Sequence, residues 1–247
     1  TGVVLTHNEE QNIQKCLDSL QFCDSIIVVD DDSTDDTVKL SQTSGAKVIP
    51  HSLNNDFSAQ RNFALTQVQP GWVLFIDADE VVSKPLADEI LTTLNSKFKI
   101  HDSYVISRLD SMWGRTLSHG NTAGQKFVRL TRHNAGSWIY PVHEIWQVKE
   151  PTGELRSPLL HYPHPSLYDF LSELNHYSTI RAHQFQKSGR KTNLFEIILG
   201  PVWRFVENYI LKLGFLDGTA GFIHAMCMAF YMFLVSGKLW LLSPKSS

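Results

Sequence analysis

Trp72-Val73-Leu74-Phe75-Ile76-Asp77-Ala78-Asp79 is the stretch on which the reading of this chain turns. Five apolar residues in a row predict a buried parallel strand. Two carboxylates one residue apart, where that strand leaves the core, suit a hard divalent cation. They supply oxygen ligands and leave coordination positions open for a phosphate-bearing substrate. Asp-x-Asp is also common in solvated turns. Its place at a strand end, with a second acidic cluster one strand–helix–strand unit earlier, makes it a candidate ligand site.

Working outward, the first hundred residues alternate as a doubly wound sheet does. Strands are predicted over Gly2–Thr6, Ser25–Asp30, Lys47–Pro50 and Trp72–Asp77. Helices are predicted over Asn12–Leu20, from Thr34 or Asp35 to about Ser44, over Phe57–Val68 and over Pro85–Asn95. In the first helix Ile13, Cys16, Leu17 and Leu20 form one apolar face. Beyond residue 100 the pattern changes. Ser103–Leu109 and Gln125–Thr131 alternate like strands, and from Ser166 the chain reads as helix: 166–187, 193–213 and 218–242. The expected partition is a catalytic part over 1–165, with a nucleotide-binding half (1–100) and an acceptor-binding half (101–165), followed by a helical extension over 166–247.

The 247 residues carry a net charge of −3, unevenly spread: −8 over residues 1–100 and +5 over 181–247. An acidic first half argues against nucleic acid as a partner. The basic, aromatic tail suggests an anionic surface. Cys16, Cys23 and Cys227 form neither a metal-binding spacing nor a disulfide framework, which fits a reducing cytosol. No secretory leader is expected before the first strand. The start without Met, almost directly in a strand, leads to the expectation that a few N-terminal residues have been trimmed.

In an open α/β sheet, ligands bind outside the carboxyl ends of the strands. Three polar clusters fall there: Thr6-His7-Asn8-Glu9-Glu10, Asp30-Asp31-Asp32-Ser33-Thr34-Asp35, and Asp77-Ala78-Asp79-Glu80. Asp30 and Asp31 are placed to accept the imide N–H of uracil or a ribose hydroxyl. Asp32, Asp35 and Asp36 are better explained as helix caps. A Gly-rich phosphate loop is absent, which disfavours a dinucleotide-binding fold.

The strings Val-Val-Leu-Thr-His-Asn-Glu-Glu (3–10), Val-Val-Asp-Asp-Asp-Ser-Thr-Asp (28–35), Ala-Gln-Arg-Asn-Phe-Ala-Leu (59–65) and Phe-Ile-Asp-Ala-Asp-Glu (75–80) resemble, in order and spacing, the family 2 inverting glycosyltransferases of the GT-A fold. Tyr140-Pro141-Val142-His143-Glu144, His161-Tyr162-Pro163-His164 and the tail Gly214-Phe215-Leu216-Asp217-Gly218…Gly221-Phe222 narrow the resemblance to bacterial enzymes that add glucose to the lipopolysaccharide inner core. The expected fold class is therefore α/β, a GT-A-type doubly wound mixed sheet with a C-terminal helical extension. The resemblance implies that Thr6 and Glu9 line the base and ribose, and that Asp31, with Asp30 beside it, binds uracil. It implies that Arg61 approaches the base or diphosphate. Asp77 and Asp79 would lie against ribose and a Mg²⁺ or Mn²⁺ ion, Asp79 being the more direct ligand.

Glycosyl transfer needs a general base, because a sugar hydroxyl is a poor nucleophile at neutral pH. It also needs charge neutralisation on the leaving diphosphate. By spacing alone Glu144 reads as a surface carboxylate paired with Arg or Lys; the resemblance makes it the base. His143 is placed to orient Glu144 or touch acceptor. His161, after the apolar run Pro158-Leu159-Leu160, is a candidate further metal ligand, or else a packed histidine. Lys126 and Arg129 alternate to opposite faces of one strand, so at most one faces an anion.

Gly218–Gly237 is an uncharged run long enough to span a bilayer. His224, Ser236 and several Gly and Ala dilute it, however, and aromatics mix with Lys and Arg around it. Helices lying at the membrane interface are the favoured reading, ahead of a packed core helix or a true span. The implied partners are a UDP-sugar donor, a lipid-linked saccharide acceptor and an anionic membrane surface, at the cytoplasmic face of the inner membrane. Rival readings are a polyprenyl-phosphate sugar transferase, a non-catalytic nucleotide-sugar-binding module, and a phosphate-ester hydrolase.

Overall fold

A computed structural model describes residues 1–96, 101–141, 144–149, 152–163 and 166–243. The elements run β1 (Gly2–Thr6), α1 (Ile13–Ser19), β2 (Ile26–Asp30), α2 (Thr37–Thr43), β3 (Lys47–Pro50), α3 (Phe57–Gln67), β4 (Trp72–Asp77), β5 (Glu80–Val82) and α4 (Lys84–Leu94). Then come β6 (Ser103–Met112), β7 (Arg115–Leu117), β8 (Lys126–Arg132), β9 (Gly136–Ile139), β10 (Ile145–Val148), β11 (Gly153–His161), α5 (Leu167–Lys187), α6 (Leu194–Phe205) and α7 (Gly218–Leu242). They form two compact units. One comprises Thr1–Arg108 with Gly124–His161, the other Leu109–Ala123 with Tyr162–Ser247.

In the first unit the strand order is β3-β2-β1-β4-β8-β6-β11-β5. β3, β2, β1 and β4 are parallel, whereas β4–β8, β8–β6 and β11–β5 pair antiparallel. Side chains alternate across the parallel strands, and both faces are buried. Val4, Val28, Leu74 and Ile76 meet Ile13, Cys16 and Leu17 of α1 and Leu86 and Ile90 of α4. On the opposite face Val3, Ile27, Val29, Val73 and Phe75 meet Ala64 and Leu65 of α3 and two tryptophans, Trp138 and Trp146. Asp56 caps α3 by accepting from Ala59 N at 2.9 Å, and Ser83 caps α4, with Pro85 in its first turn.

The parallel strands fall where the apolar runs predict them. The short antiparallel pieces do not show in the sequence. β5 is three residues hidden behind the Asp77-Ala78-Asp79 turn, and it exists because β11 returns to pair with it, His161 opposite Glu80. β9 and β10 form a separate hairpin, Ile139 opposite Ile145, closed by the stacked Trp138–Trp146 pair at 5.0 Å. At Gly136 this hairpin has no room for a side chain: an added Cβ would lie 2.0 Å from the Gln147 carbonyl oxygen.

In the second unit β7 pairs with the far end of β6. The predicted helix over 193–213 is interrupted. α6 ends at Phe205 and passes into a π-helical turn over Val206–Leu211. Asn208 explains the widening. It is buried, accepts from Asn121 N at 2.7 Å and lies 3.3 Å from His224 Nδ1. Asp217 binds both His119 N and His119 Nδ1 at 2.8 Å, and Gly120 packs against the Asn208 side chain. The predicted turn at His119-Gly120-Asn121 is thus tied to the motif around Gly214–Gly218. Among the described residues one helix, Gly214–Leu242, is long and apolar enough to cross a membrane by length and composition, and 33 % of its most apolar window is buried.

Phe75 is fully buried and presents its ring edge-on to both tryptophans, at 5.2 and 5.0 Å. Phe75→Ala should cost about 3–5 kcal/mol, read as a lowered urea midpoint with an unchanged slope.

Candidate active site

The residues predicted to bind nucleotide gather at the carboxyl ends of β1 and β2. Thr6 Oγ1 donates to Asp30 Oδ1 at 3.0 Å, and Asp30 Oδ2 accepts from Ser33 N at 3.0 Å; both residues are buried. Asp30 therefore braces the turn after β2. Asp31 accepts from Leu53 N through Oδ1 at 2.7 Å, and its Oδ2 lies 3.8 Å from His7 Nδ1. Glu9 accepts from Asn12 Nδ2 at 2.9 Å and donates its own N–H to Thr37 Oγ1. Asp35 accepts from Thr37 N and Glu10 N, which keeps its carboxyl below the usual range. Of the three acids expected to cap helices, Asp35 bonds the first N–H of α2, Asp36 stands at the N-cap position without a side-chain cap bond, and Asp32 instead accepts from Ser52 Oγ.

A second group is built around two arginines. Arg61, on α3, is 3 % exposed. Its Nε donates to Glu144 Oε1 at 2.9 Å and its Nη2 to Asp77 Oδ1 at 2.6 Å. Its guanidinium carbon lies 4.6 Å from the ring centre of Trp138. Arg129, on β8 and 5 % exposed, donates through Nη2 to Asp77 Oδ2 at 2.7 Å and to Glu80 Oε1 at 2.9 Å. Glu80 Oε2 accepts from Asp77 N at 3.0 Å. Glu144, Arg61, Asp77, Arg129 and Glu80 thus form one alternating chain of charge. Of the opposed pair on β8, Arg129 points into this chain and Lys126 pairs with Glu154 at 2.6 Å.

Burial alone would raise the Asp77 pKa, but the Arg129 and Arg61 guanidinium groups outweigh it and hold this carboxyl well below the usual range. Glu80 goes the other way. Burial pushes it up to about 7, with the negative charge of Asp77 and Asp79 adding and Arg129 and His161 opposing. Cys16 donates weakly to the Asp77 carbonyl at 3.5 Å, and burial raises its thiol pKa well above normal.

Asp79 and His161 are brought together by the β5–β11 register: His161 Nε2 lies 3.1 Å from Asp79 Oδ2. Asp79 keeps a quarter of its side chain exposed. Among the described residues no group of three or more His, Cys, Asp or Glu forms a metal cage. A lone carboxylate suits an ion that takes its remaining ligands from water and substrate phosphate, and the imidazole beside it is more compatible with Mn²⁺ than with Mg²⁺, which prefers oxygen ligands. The pair therefore fits a shared metal site and not a closed one. His143 and His164 lie outside the described residues. Sequence reasoning missed Glu80 and Asn62; the available signals were adjacency to Asp79 and to Arg61.

Residues 2–133 match the model of glycosyl transferase family 2. An uncharacterised glycosyltransferase of Rickettsia typhi is 30 % identical over 98 % of this chain and 87 % of its own length. The lipopolysaccharide core biosynthesis glycosyltransferase LpsC of Rhizobium meliloti is 29 % identical over 97 % of this chain and 91 % of its own length. Among solved structures, S. aureus TarS 1–349 in complex with UDP-GlcNAc aligns over 96 % of this chain and 90 % of that one, at 16 % identity and a TM-score of 0.48. The chain belongs to glycosyl transferase family 2. It is a glycosyltransferase, and its mixed α/β sheet is of the GT-A type.

Between about pH 4.5 and about 7 the folded chain keeps a proton on Glu80 that the unfolded chain has released. Stability therefore falls as pH rises across that window. Glu80→Gln removes this term, so calorimetry should find its melting temperature, relative to the parent, rising from pH 4.5 to 7.

Proposed function

We propose that this chain is a metal-dependent inverting hexosyltransferase that moves glucose from UDP-glucose to a lipid-linked saccharide of the lipopolysaccharide inner core. The observation that carries the reading is the Arg61 bridge. It brings Glu144 within one guanidinium group of Asp77, the carboxylate at the end of β4. A base and a donor-side carboxylate, far apart in the chain, share one buried cation. The name of the LpsC relative supports the acceptor class.

Thr6, Glu9, Asp30 and Asp31 frame the uridine end, with Asp31 placed to accept the uracil imide proton. Asp77 faces the ribose. Asp79 and His161 hold Mg²⁺ or Mn²⁺, which when bound supplies Lewis-acid neutralisation of the diphosphate leaving group. Glu144 Oε2 takes the proton of the acceptor hydroxyl, while Oε1 stays on Arg61. The hydroxyl oxygen bonds to the anomeric carbon from the face opposite the diphosphate. The bond to the diphosphate oxygen breaks, and the configuration inverts.

The second unit gives the enzyme its place on a membrane. None of the α6 residues is buried. Phe195 is 76 % and Trp203 61 % exposed, in a patch continued by Leu194, Ile198, Leu199 and Val202. A contiguous apolar face with aromatics suits the interfacial region of a bilayer. Much of the tail's positive charge is already engaged within the unit. Arg204 and Lys212 pair with Glu207, and Lys238 Nζ donates to Asn175, Ser178 and Thr179. Apolar insertion therefore outweighs charge in holding the protein at the inner membrane's cytoplasmic face.

Asp79→Ala and Glu144→Gln should each lower UDP release from UDP-glucose in the presence of heptosyl acceptor, Glu144→Gln by about 10²–10⁴-fold. Parental rates in either variant would remove that residue from its role. A panel of UDP-, GDP- and dTDP-sugars, offered with heptosyl and polyprenyl-phosphate acceptors side by side, identifies donor and acceptor. In liposome sedimentation Phe195→Ser with Trp203→Ser should release the protein. Raising salt to about 1 M, where the Debye length is about 3 Å, should not.

A further inference from the structure

The Gln60-Arg61-Asn62 segment grips the β9–β10 hairpin at several points. Asn62 Nδ2 donates to the Trp138 carbonyl at 2.8 Å, and Asn62 Oδ1 accepts from Trp138 N at 2.9 Å. One side chain thus replaces a strand neighbour for β9. At the start of α3, Phe57 N donates to the Pro141 carbonyl at 3.0 Å. Between these anchors Tyr140 has φ +70°, a left-handed conformation costly for a bulky residue and sustained only where its surroundings dictate it. Trp138, stacked on Trp146, lies under the Arg61 guanidinium. Glu144 is the last residue before β10 and is tied to the same arginine.

We infer that Arg61 and Asn62 are positioning residues: helix α3 clamps the β9–β10 hairpin so that Glu144 is held at a fixed place beside Asp77. This rests on Glu144 being the base. Asn62 fixes the hairpin through its backbone. Arg61 fixes the carboxylate itself through Oε1, leaving Oε2 for the acceptor. Neither residue needs to touch the nucleotide in this role. Both nitrogens through which Arg61 donates are committed to Asp77 and Glu144, and the third, Nη1, is sealed from solvent.

The test separates positioning from donor binding on the full-length protein. Asn62→Ala, Arg61→Met and Arg61→Lys are compared with the parent for kcat, KM for UDP-glucose and UDP affinity by calorimetry. Asn62→Ala should lose about 10²-fold in kcat, the scale of a misplaced catalytic group, with UDP affinity unchanged and a weakened circular-dichroism couplet from the tryptophan pair. Arg61→Met should lose kcat on the same scale with UDP affinity unchanged, because Glu144 loses the donor that orients it, and Arg61→Lys should recover part of that loss. A loss of UDP affinity in step with kcat in both the Arg61→Lys and Asn62→Ala variants would overturn the inference and make this segment a donor site. Unchanged kcat in both Asn62→Ala and Arg61→Met would overturn it as well. Glu144→Gln is run alongside. If it turns over at the parental rate, the base assignment falls. If it is inactive while the clamp variants behave as the parent, the clamp alone falls.

Discussion

Two guanidinium groups are carried into the interior of the first unit, and the site is organised around satisfying them. A buried cation without a partner is strongly destabilising. Arg61 and Arg129 each hold two carboxylates, and they share Asp77. With three acids on two cations, Asp77 is the one carboxylate that links the two arginines. The cluster therefore behaves as a unit, which explains how residues from α3, β4, β5, β8 and the loop before β10 come to lie together. The pleat of β4 sets the stage: Phe75 turns to the tryptophan face, while Asp77 leaves the strand end where the cations wait.

The parallel strands were legible because their signal is local. Runs such as Ile26–Asp30 and Trp72–Asp77 carry it in their own composition, and the three polar clusters at their ends followed from the rule that ligands gather there. Asp79 with His161, and Asp77 with Arg61, were each singled out separately, and the structure brings each pair into contact. What the sequence does not show is non-local. β5 is a strand only because β11 pairs with it, and β9 only because β10 and Asn62 flank it. Glu80 looks like one more acid in an acidic turn. Its bond to Arg129, and the near-neutral pKa that burial imposes against that cation, need the tertiary structure to be seen.

The tail shows a related limit. Its helices were readable from apolar periodicity, but the π-helical turn at Val206–Leu211 was not. That turn depends on Asn208 meeting a hairpin tip from another part of the chain. Counting Lys and Arg suggested a strongly cationic surface. The side-chain partners of Arg204, Lys212 and Lys238 show part of that charge engaged within the unit.

The Asn62 side chain reads only main-chain atoms of Trp138, and Phe57 likewise reads only the Pro141 carbonyl. Such a grip is indifferent to which side chains the intervening tip displays. Gly136 and the ring pair lock the hairpin's base. Side chains between the two backbone anchors can therefore change without disturbing the hydrogen bonds by which α3 holds this hairpin.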